Sequence, residues 1–181
     1  MNFFFKILIL SFILTTFTSC GDNPTEQQPT TASSADKRES LDKANRYIVK
    51  KEAEQISEYI ERHRLNVQET GTGLRYQILK NGDSTPIKRG NTVIFEYETR
   101  FLNGTLVYSS KEKGPKTFVV GHGGVESGLE EVMPFLHKND VAVVILPSHL
   151  AFGLLGDGDK IPQKAAIVYK IMVTEVLSDN K

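Results

Sequence analysis

Thr92-Val93-Ile94-Phe95-Glu96-Tyr97-Glu98-Thr99-Arg100-Phe101 is the stretch whose reading decides the fold. Val93, Phe95, Tyr97, Thr99 and Phe101 recur at every second position, while Glu96, Glu98 and Arg100 fill the gaps. A period of two with one apolar and one charged face describes a strand in an antiparallel sheet with one wet side. Asn103-Gly104 follows, and both residues tolerate the positive φ that a hairpin turn demands. Upstream, Leu74, Tyr76 and Ile78 alternate in the same way. Downstream, short strands are predicted over 118–120 and 141–146, and a long last strand over 166–177 with Ile167, Tyr169, Ile171 and Val173 in register. One short helix is predicted from Glu126 to about Met133, with Leu129, Val132 and Met133 on its apolar side. Pro134 limits its continuation. The fold class is therefore α+β, an antiparallel sheet with one short helix across it.

The residues before this domain divide into three parts. Lys6 and the apolar run Ile7–Leu14, extended back by Phe3, Phe4 and Phe5, have the shape of a signal peptide over 1–19. The run is too short for a bilayer core, which takes roughly 20 apolar residues. Phe17-Thr18-Ser19-Cys20 resembles a bacterial lipobox, so Cys20 is expected to be lipidated and to serve as a membrane anchor. Residues 20–38 are rich in Thr, Ser, Pro, Gln and Asn and are expected to form a disordered tether, because such a segment buries too little to offset its entropy. Over 39–65, Leu41, Ala44, Ile48, Ala53, Ile56, Tyr59, Ile60 and His63 recur at helical spacing with no Pro or Gly. An amphipathic helix of that length needs a surface for its apolar stripe. Two readings fit: docking on its own domain, or pairing with a second copy as a homodimer. Residues 66–181 form the folded domain.

Composition removes several function classes. Lys plus Arg and Asp plus Glu are both 22 of 181 residues, so the chain lacks the cation surplus that nucleic-acid binding requires. With Cys20 as the only cysteine, the chain holds neither an internal disulfide nor a cysteine-based zinc site. His63, His122, His137 and His149 show no paired ligand spacing, and no metal or cofactor is expected. Gly121-His122-Gly123-Gly124 reads as a tight loop, since no Gly-x-Ser-x-Gly elbow accompanies it. Asp157-Gly158-Asp159 offers too few oxygens for calcium and reads as a turn. Glu130-Glu131 reads as solvated charge at a helix start.

Five ordered motifs then point to a family. They are Lys88-Arg89-Gly90; Tyr97 through Gly104; Gly121 through Glu131 with Val125 and Gly128-Leu129; Pro147-Ser148-His149-Leu150-Ala151-Phe152-Gly153; and Ile161-Pro162 before the strand that bears Tyr169. Over roughly 73–177 the chain resembles the FKBP-type peptidyl-prolyl cis-trans isomerases. The lead-in from Gln68 to Tyr76 is typical of exported bacterial members. The anchor, tether and helix resemble the gliding-motility-associated isomerase lipoproteins, which implies an exported, lipid-anchored protein of the cell envelope, in the periplasm, with the outer membrane as the expected anchor site. The resemblance implies a curved sheet wrapped over the helix and a hollow between them that receives proline-containing polypeptides. Tyr97, Phe152, Tyr169 and Tyr108 are its expected catalytic residues. Val107, Phe118, Val125, Glu126, Leu129 and Ile161 are expected to bind substrate.

Three departures from the family pattern bear on activity. Val107-Tyr108 stands where the family has Phe-Asp, so the usual pocket carboxylate is expected to be missing, with Tyr108 offering a hydroxyl instead. Phe152 replaces a Tyr whose hydroxyl normally binds a substrate carbonyl. Glu126 replaces an Ile whose backbone N–H serves as a donor, and that N–H is retained. Each absent contact is worth about 1–1.5 kcal/mol, so the expectation is an isomerase of modest activity that assists folding of exported proteins. The alternative is a non-catalytic peptide-binding chaperone or assembly factor of the same fold.

Overall fold

The computed structural model describes residues 34–178. The signal-like run, Cys20 and the tether up to residue 33 lie outside the described residues. Seven strands make one sheet: β1 (Gln68–Glu69), β2 (Arg75–Lys80), β3 (Thr92–Phe101), β4 (Leu106–Ser109), β5 (Lys116–Val119), β6 (Val141–Leu146) and β7 (Ile167–Leu177). The order is β1-β2-β6-β7-β3-β4, with β5 also on β3, and every pairing is antiparallel. β3 is central: β7 runs along its full length on one side, while β5 and β4 share the other. Register shifts at Ile94/Phe95, Thr99/Arg100 and Ile78/Lys80 mark bulges. A bulge adds a residue to one strand and bends it, so the sheet curves instead of lying flat.

The predicted alternation is what packs. Val93, Phe95, Tyr97 and Thr99 are buried, and their partners across β7 include Val173, Ile171 and Tyr169. On the concave side these meet helix α3 (Ser127–Val132), through Leu129 and Val132, both fully buried. The expected helix runs on past Val132 as a 3₁₀ turn, Met133–Phe135, in which Pro134 fits because that position has no intrahelical acceptor to supply. A short helix α2 (Ser110–Lys113) and a 3₁₀ turn (Ser148–Leu150) had no periodic signal in the sequence.

Gly128 sets how close α3 comes to the sheet. A Cβ there would lie 2.4 Å from Leu146 Cδ2 and 3.1 Å from the Leu150 carbonyl. The N-terminal side of α3 is tied to the preceding loop by Glu130, whose carboxylate accepts from the N–H of Gly121 (2.6 Å) and of Gly123 (2.7 Å). Glu131 accepts from the Thr72 hydroxyl at 2.7 Å. The expected solvated charge pair is thus a pair of structural acceptors. The two loop donors that an esterase would need are occupied.

Helix α1 spans Ser34–His63. It starts ahead of the predicted Glu39, so residues 34–38 are helix and not tether; Ala35, Lys37 and Arg38 are good helix formers and nothing breaks the turn. Arg64 closes it in the left-handed region (φ 53°), with Leu65 N–H donating to the Ile60 carbonyl and Arg64 N–H to the Glu61 carbonyl, both at 3.0 Å. That is a Schellman motif, and Leu65 and Ile60 supply its apolar contact. Residues from Lys43 onward belong to one compact unit. Within it, Ile56 and Tyr59 cover Ile145, Ala166 and Val168 on the outer face of the sheet. This half of the helix docks on its own domain. Glu52 Oε1 also accepts the Ser148 N–H at 2.8 Å, which ties the helix to the loop bearing Phe152.

Candidate functional site

The sheet and the loops before α3 and after β6 line a cavity of about 600 Å³, open at one side. Tyr97 comes from β3, Tyr169 from β7, Val125 from the loop before α3, and Phe152 from the loop after β6; all four border it. They are separated by up to 72 residues in the chain and meet because β3 and β7 pair directly, Thr99 opposite Tyr169. The Tyr97 and Tyr169 rings lie 6.0 Å apart, tilted at 55°. Together they form an aromatic floor. Tyr108 also borders the cavity. Val107, Phe118, Leu129 and Ile161 do not line it; each is buried in the core behind the wall. Phe118 supports the floor through an edge contact to Phe95 at 6.1 Å.

Position 108 carries a phenol in place of the family's carboxylate, and other carboxylates stand nearby. Glu126, Asp157 and Asp159 all border the cavity, from elements other than the one that holds Tyr108. The Tyr108 hydroxyl donates to Asp157 Oδ2 and, at 3.1 Å, to Asp159 Oδ2. Asp157 Oδ1 accepts the Asp159 and Ile161 N–H groups at 2.9 and 2.8 Å, the turn that the sequence predicted. Burial pushes the Tyr108 phenol well above its usual range, and the hydrogen bond to Asp157 adds to that. For Asp157, burial pushes the carboxyl up, but the Tyr108 hydroxyl and the backbone N–H donors outweigh it and hold it below the ordinary carboxylate range. Tyr108 is therefore a committed donor.

Glu126 does more than its backbone implied. Its side chain is only 5% exposed, and both carboxylate oxygens lie 2.9 Å from the Lys116 ammonium. The Tyr169 hydroxyl donates to Oε1 at 2.6 Å. Burial and the Glu126 charge together raise the Tyr169 phenol far above its ordinary value, and burial followed by Glu126 raises Tyr97. Lys116 was not singled out from the sequence. It lies ten residues from Glu126 on a different strand, and a lone Lys after Pro115 carries no pattern. The Glu126 backbone N–H has no acceptor among the described residues. Glu126 borders the cavity, one residue before α3.

A second hollow of about 270 Å³ opens on the other side of β3, beside Glu96, Glu98, Lys170 and Met172. It draws largely on the wet face of the sheet, and Tyr97 borders both hollows.

A half-open antiparallel sheet curled over one helix, beside an aromatic-floored hollow, is the architecture of the prolyl isomerase class. Residues 83–174 match the family described as FKBP-type peptidyl-prolyl cis-trans isomerase, and the chain belongs to that family. It is 34% identical over 111 residues to the probable FKBP-type peptidyl-prolyl cis-trans isomerase FkpA of Neisseria meningitidis, a match covering 61% of this chain and 40% of that protein. It is 28% identical over 112 residues to the FKBP-type 22 kDa peptidyl-prolyl cis-trans isomerase of Escherichia coli, covering 61% and 53%. The chain thus spans about half the length of the relatives it matches. Among solved structures, FkpA from Escherichia coli shares the fold with a TM-score of 0.62 at 22% identity, covering 96% of this chain and 82% of that one.

Proposed function

We propose that this protein is a peptidyl-prolyl cis-trans isomerase acting on proline-containing polypeptides outside the cytoplasm. The observation that carries the proposal is the convergence of Tyr97, Val125, Phe152 and Tyr169 on one cavity beside the unpaired Glu126 N–H. The X–Pro bond resists rotation by about 18–20 kcal/mol because conjugation gives it double-bond character. The rate maximum is a twisted amide with no bond made or broken. Such a step calls for a site that holds the twisted form better than the planar one, with no nucleophile. The prolyl ring would rest on the Tyr97–Tyr169 floor against Val125 and Phe152. The Glu126 N–H would hold a flanking carbonyl and so orient the rotating bond.

Phe152 brings a ring and no hydroxyl to this wall, which favours modest turnover. It also keeps open a reading as a chaperone of the same fold that binds without catalysis. The test is refolding of a protein whose slow phase is limited by proline isomerisation, with the full chain added at substoichiometric amounts. Acceleration that is lost in Phe152→Ala, at unchanged thermal stability, supports the isomerase. No acceleration at equimolar protein, with aggregation still suppressed, establishes the binder instead. The lipid anchor at Cys20, placement in the cell envelope and kinship with gliding-motility lipoproteins belong to the same proposal. They are supported by the signal-like run and lipobox and by the resemblance to envelope members. Cys20→Ala should release the protein from the membrane fraction; a protein that stays membrane-bound without Cys20 would refute the anchor. Self-association through α1 is part of it as well, supported by the exposed Leu41, Tyr47 and Val49.

A further inference from the structure

Lys116 and Glu126 form an ion pair inside a peptide-binding cavity, and the pair has a direction. The Glu126 side chain is 5% exposed and the Lys116 side chain 27%. The negative end is sealed into the protein, and the ammonium end faces the space where a client lies. Burying a lone carboxylate is costly, and this one is compensated by both Lys116 contacts and by the Tyr169 hydroxyl. The two Glu126 contacts hold Nζ in place, 5.5 Å from the centre of the Tyr97 ring and 5.4 Å from that of Tyr169. Its third donor contact, to the Tyr169 oxygen, is the long one at 3.2 Å, and that oxygen already donates to Glu126. Exchanging this contact for a better acceptor leaves the pair itself intact.

The rest of the cavity does not cancel that positive end. Asp157 and Asp159 are engaged by Tyr108 and by backbone N–H groups. Lys113 and Lys160 stand 4.0 and 5.3 Å from the centre of the Tyr108 ring beside them. That wall carries its own counter-charges.

We infer that Lys116 is a specificity-determining donor that takes an oxygen of the client next to the prolyl ring, with Glu126 and Tyr169 as its positioning residues. The inference rests on the isomerase-site reading above and names a contact within it. The acceptor is either a main-chain carbonyl or an acidic side chain on the residue before proline; a cationic side chain there is disfavoured. Phe152 supplies no hydroxyl, and Lys116 supplies a charged donor on the adjoining wall.

The test uses the full chain and three tetrapeptides, Ala-Glu-Pro-Phe, Ala-Gln-Pro-Phe and Ala-Lys-Pro-Phe, with binding measured separately from turnover. The variant is Lys116→Met with Glu126→Leu, because replacing a buried pair by apolar residues of similar volume is near neutral for stability, and because the Glu126 backbone N–H survives it. With thermal stability unchanged, loss of one charge-assisted hydrogen bond should weaken binding about tenfold or more. A loss confined to the Glu peptide assigns the contact to the side chain, and an equal loss for all three assigns it to the main-chain carbonyl. Unchanged binding of all three peptides would overturn the inference and leave the pair a structural feature. Absence of turnover with peptide binding intact would strike the isomerase reading and not this one. Should the double variant fail to fold, wild-type protein labelled with ¹³C at lysine Cε decides: the Lys116 signal moves on adding Ala-Glu-Pro-Phe, or its immobility refutes the contact.

Discussion

Gly128→Ala probes the link between packing and site. Its added Cβ would sit 2.4 Å from Leu146 Cδ2 and 3.1 Å from Cδ1, against a comfortable carbon separation of about 3.5–4.0 Å. Leu146 is fully buried on β6, and the Leu150 carbonyl oxygen stands 3.1 Å from the same Cβ. Lifting α3 from the sheet by about 1 Å relieves the clash. Overpacking of this kind costs about 1–3 kcal/mol, while alanine returns at most about 1 kcal/mol of helix propensity. Packing wins. For a unit of this size the net loss corresponds to a fall in Tm of about 3–8 °C. Activity should fall further than stability, because α3 carries Glu126 at its start and Val125 just before it. A misplacement of 1 Å can cost about 100-fold in rate. Thermal unfolding by circular dichroism and the proline-limited refolding assay, both run well below Tm, measure the two effects. Gly71→Ala is the control: nothing lies within 4 Å of its Cβ, and Tm should hold. Leu146→Val in the Gly128→Ala background should restore part of both losses by reopening space. If Gly128→Ala matches wild type, or Leu146→Val makes it worse by the full cost of a separate core deletion, the close approach of α3 is not what shapes the site.

Two further outcomes follow from the structure. Ile56 is fully buried against the back of the sheet, so Ile56→Ala should cost about 2–5 kcal/mol, and a shortened chain starting at Asn66 should expose that face and bind a hydrophobic dye; a Tm unmoved by either change would mean that α1 does not dock. Burial, the first cause at every one of them, raises the phenols of Tyr59, Tyr76, Tyr97, Tyr108 and Tyr169, with Asp157 reinforcing Tyr108 and Glu126 reinforcing Tyr97 and Tyr169. Stability from keeping them protonated is fully present below the unfolded tyrosine value near pH 10 and is lost as pH climbs above it. Phenolate absorbance should therefore appear together with unfolding, and titration of all tyrosines near pH 10 in a still-folded protein would contradict this.

The alternation in 92–101 and 166–177 made the two central strands legible, because a face buried against a core must repeat every second residue whatever lies beyond it. Gly128, Phe152 and Tyr169 were legible as members of ordered motifs, and six of the ten residues expected at the site border one hollow. Val107, Phe118, Leu129 and Ile161 are apolar and spaced correctly, yet periodicity cannot say whether a buried side chain faces a void or fills the layer beneath. Residues 34–38 are polar enough to read as tether, yet they hold no helix breaker, and α1 starts at Ser34.

Local chemistry thus dictated the strands, the turn residues and the order of elements, since these depend on neighbours within a few positions. The polar half of the site is a different matter. Lys116 and Glu126 face each other across a loop, and Tyr108 reaches Asp157 and Asp159 from forty-nine and fifty-one residues away. In the sequence these are unremarkable charges of the kind that cover any surface. Only the folded arrangement buries Glu126 beside Lys116, and a charge removed from water must find a partner. That tertiary event turned scattered ions into the wall of a cavity.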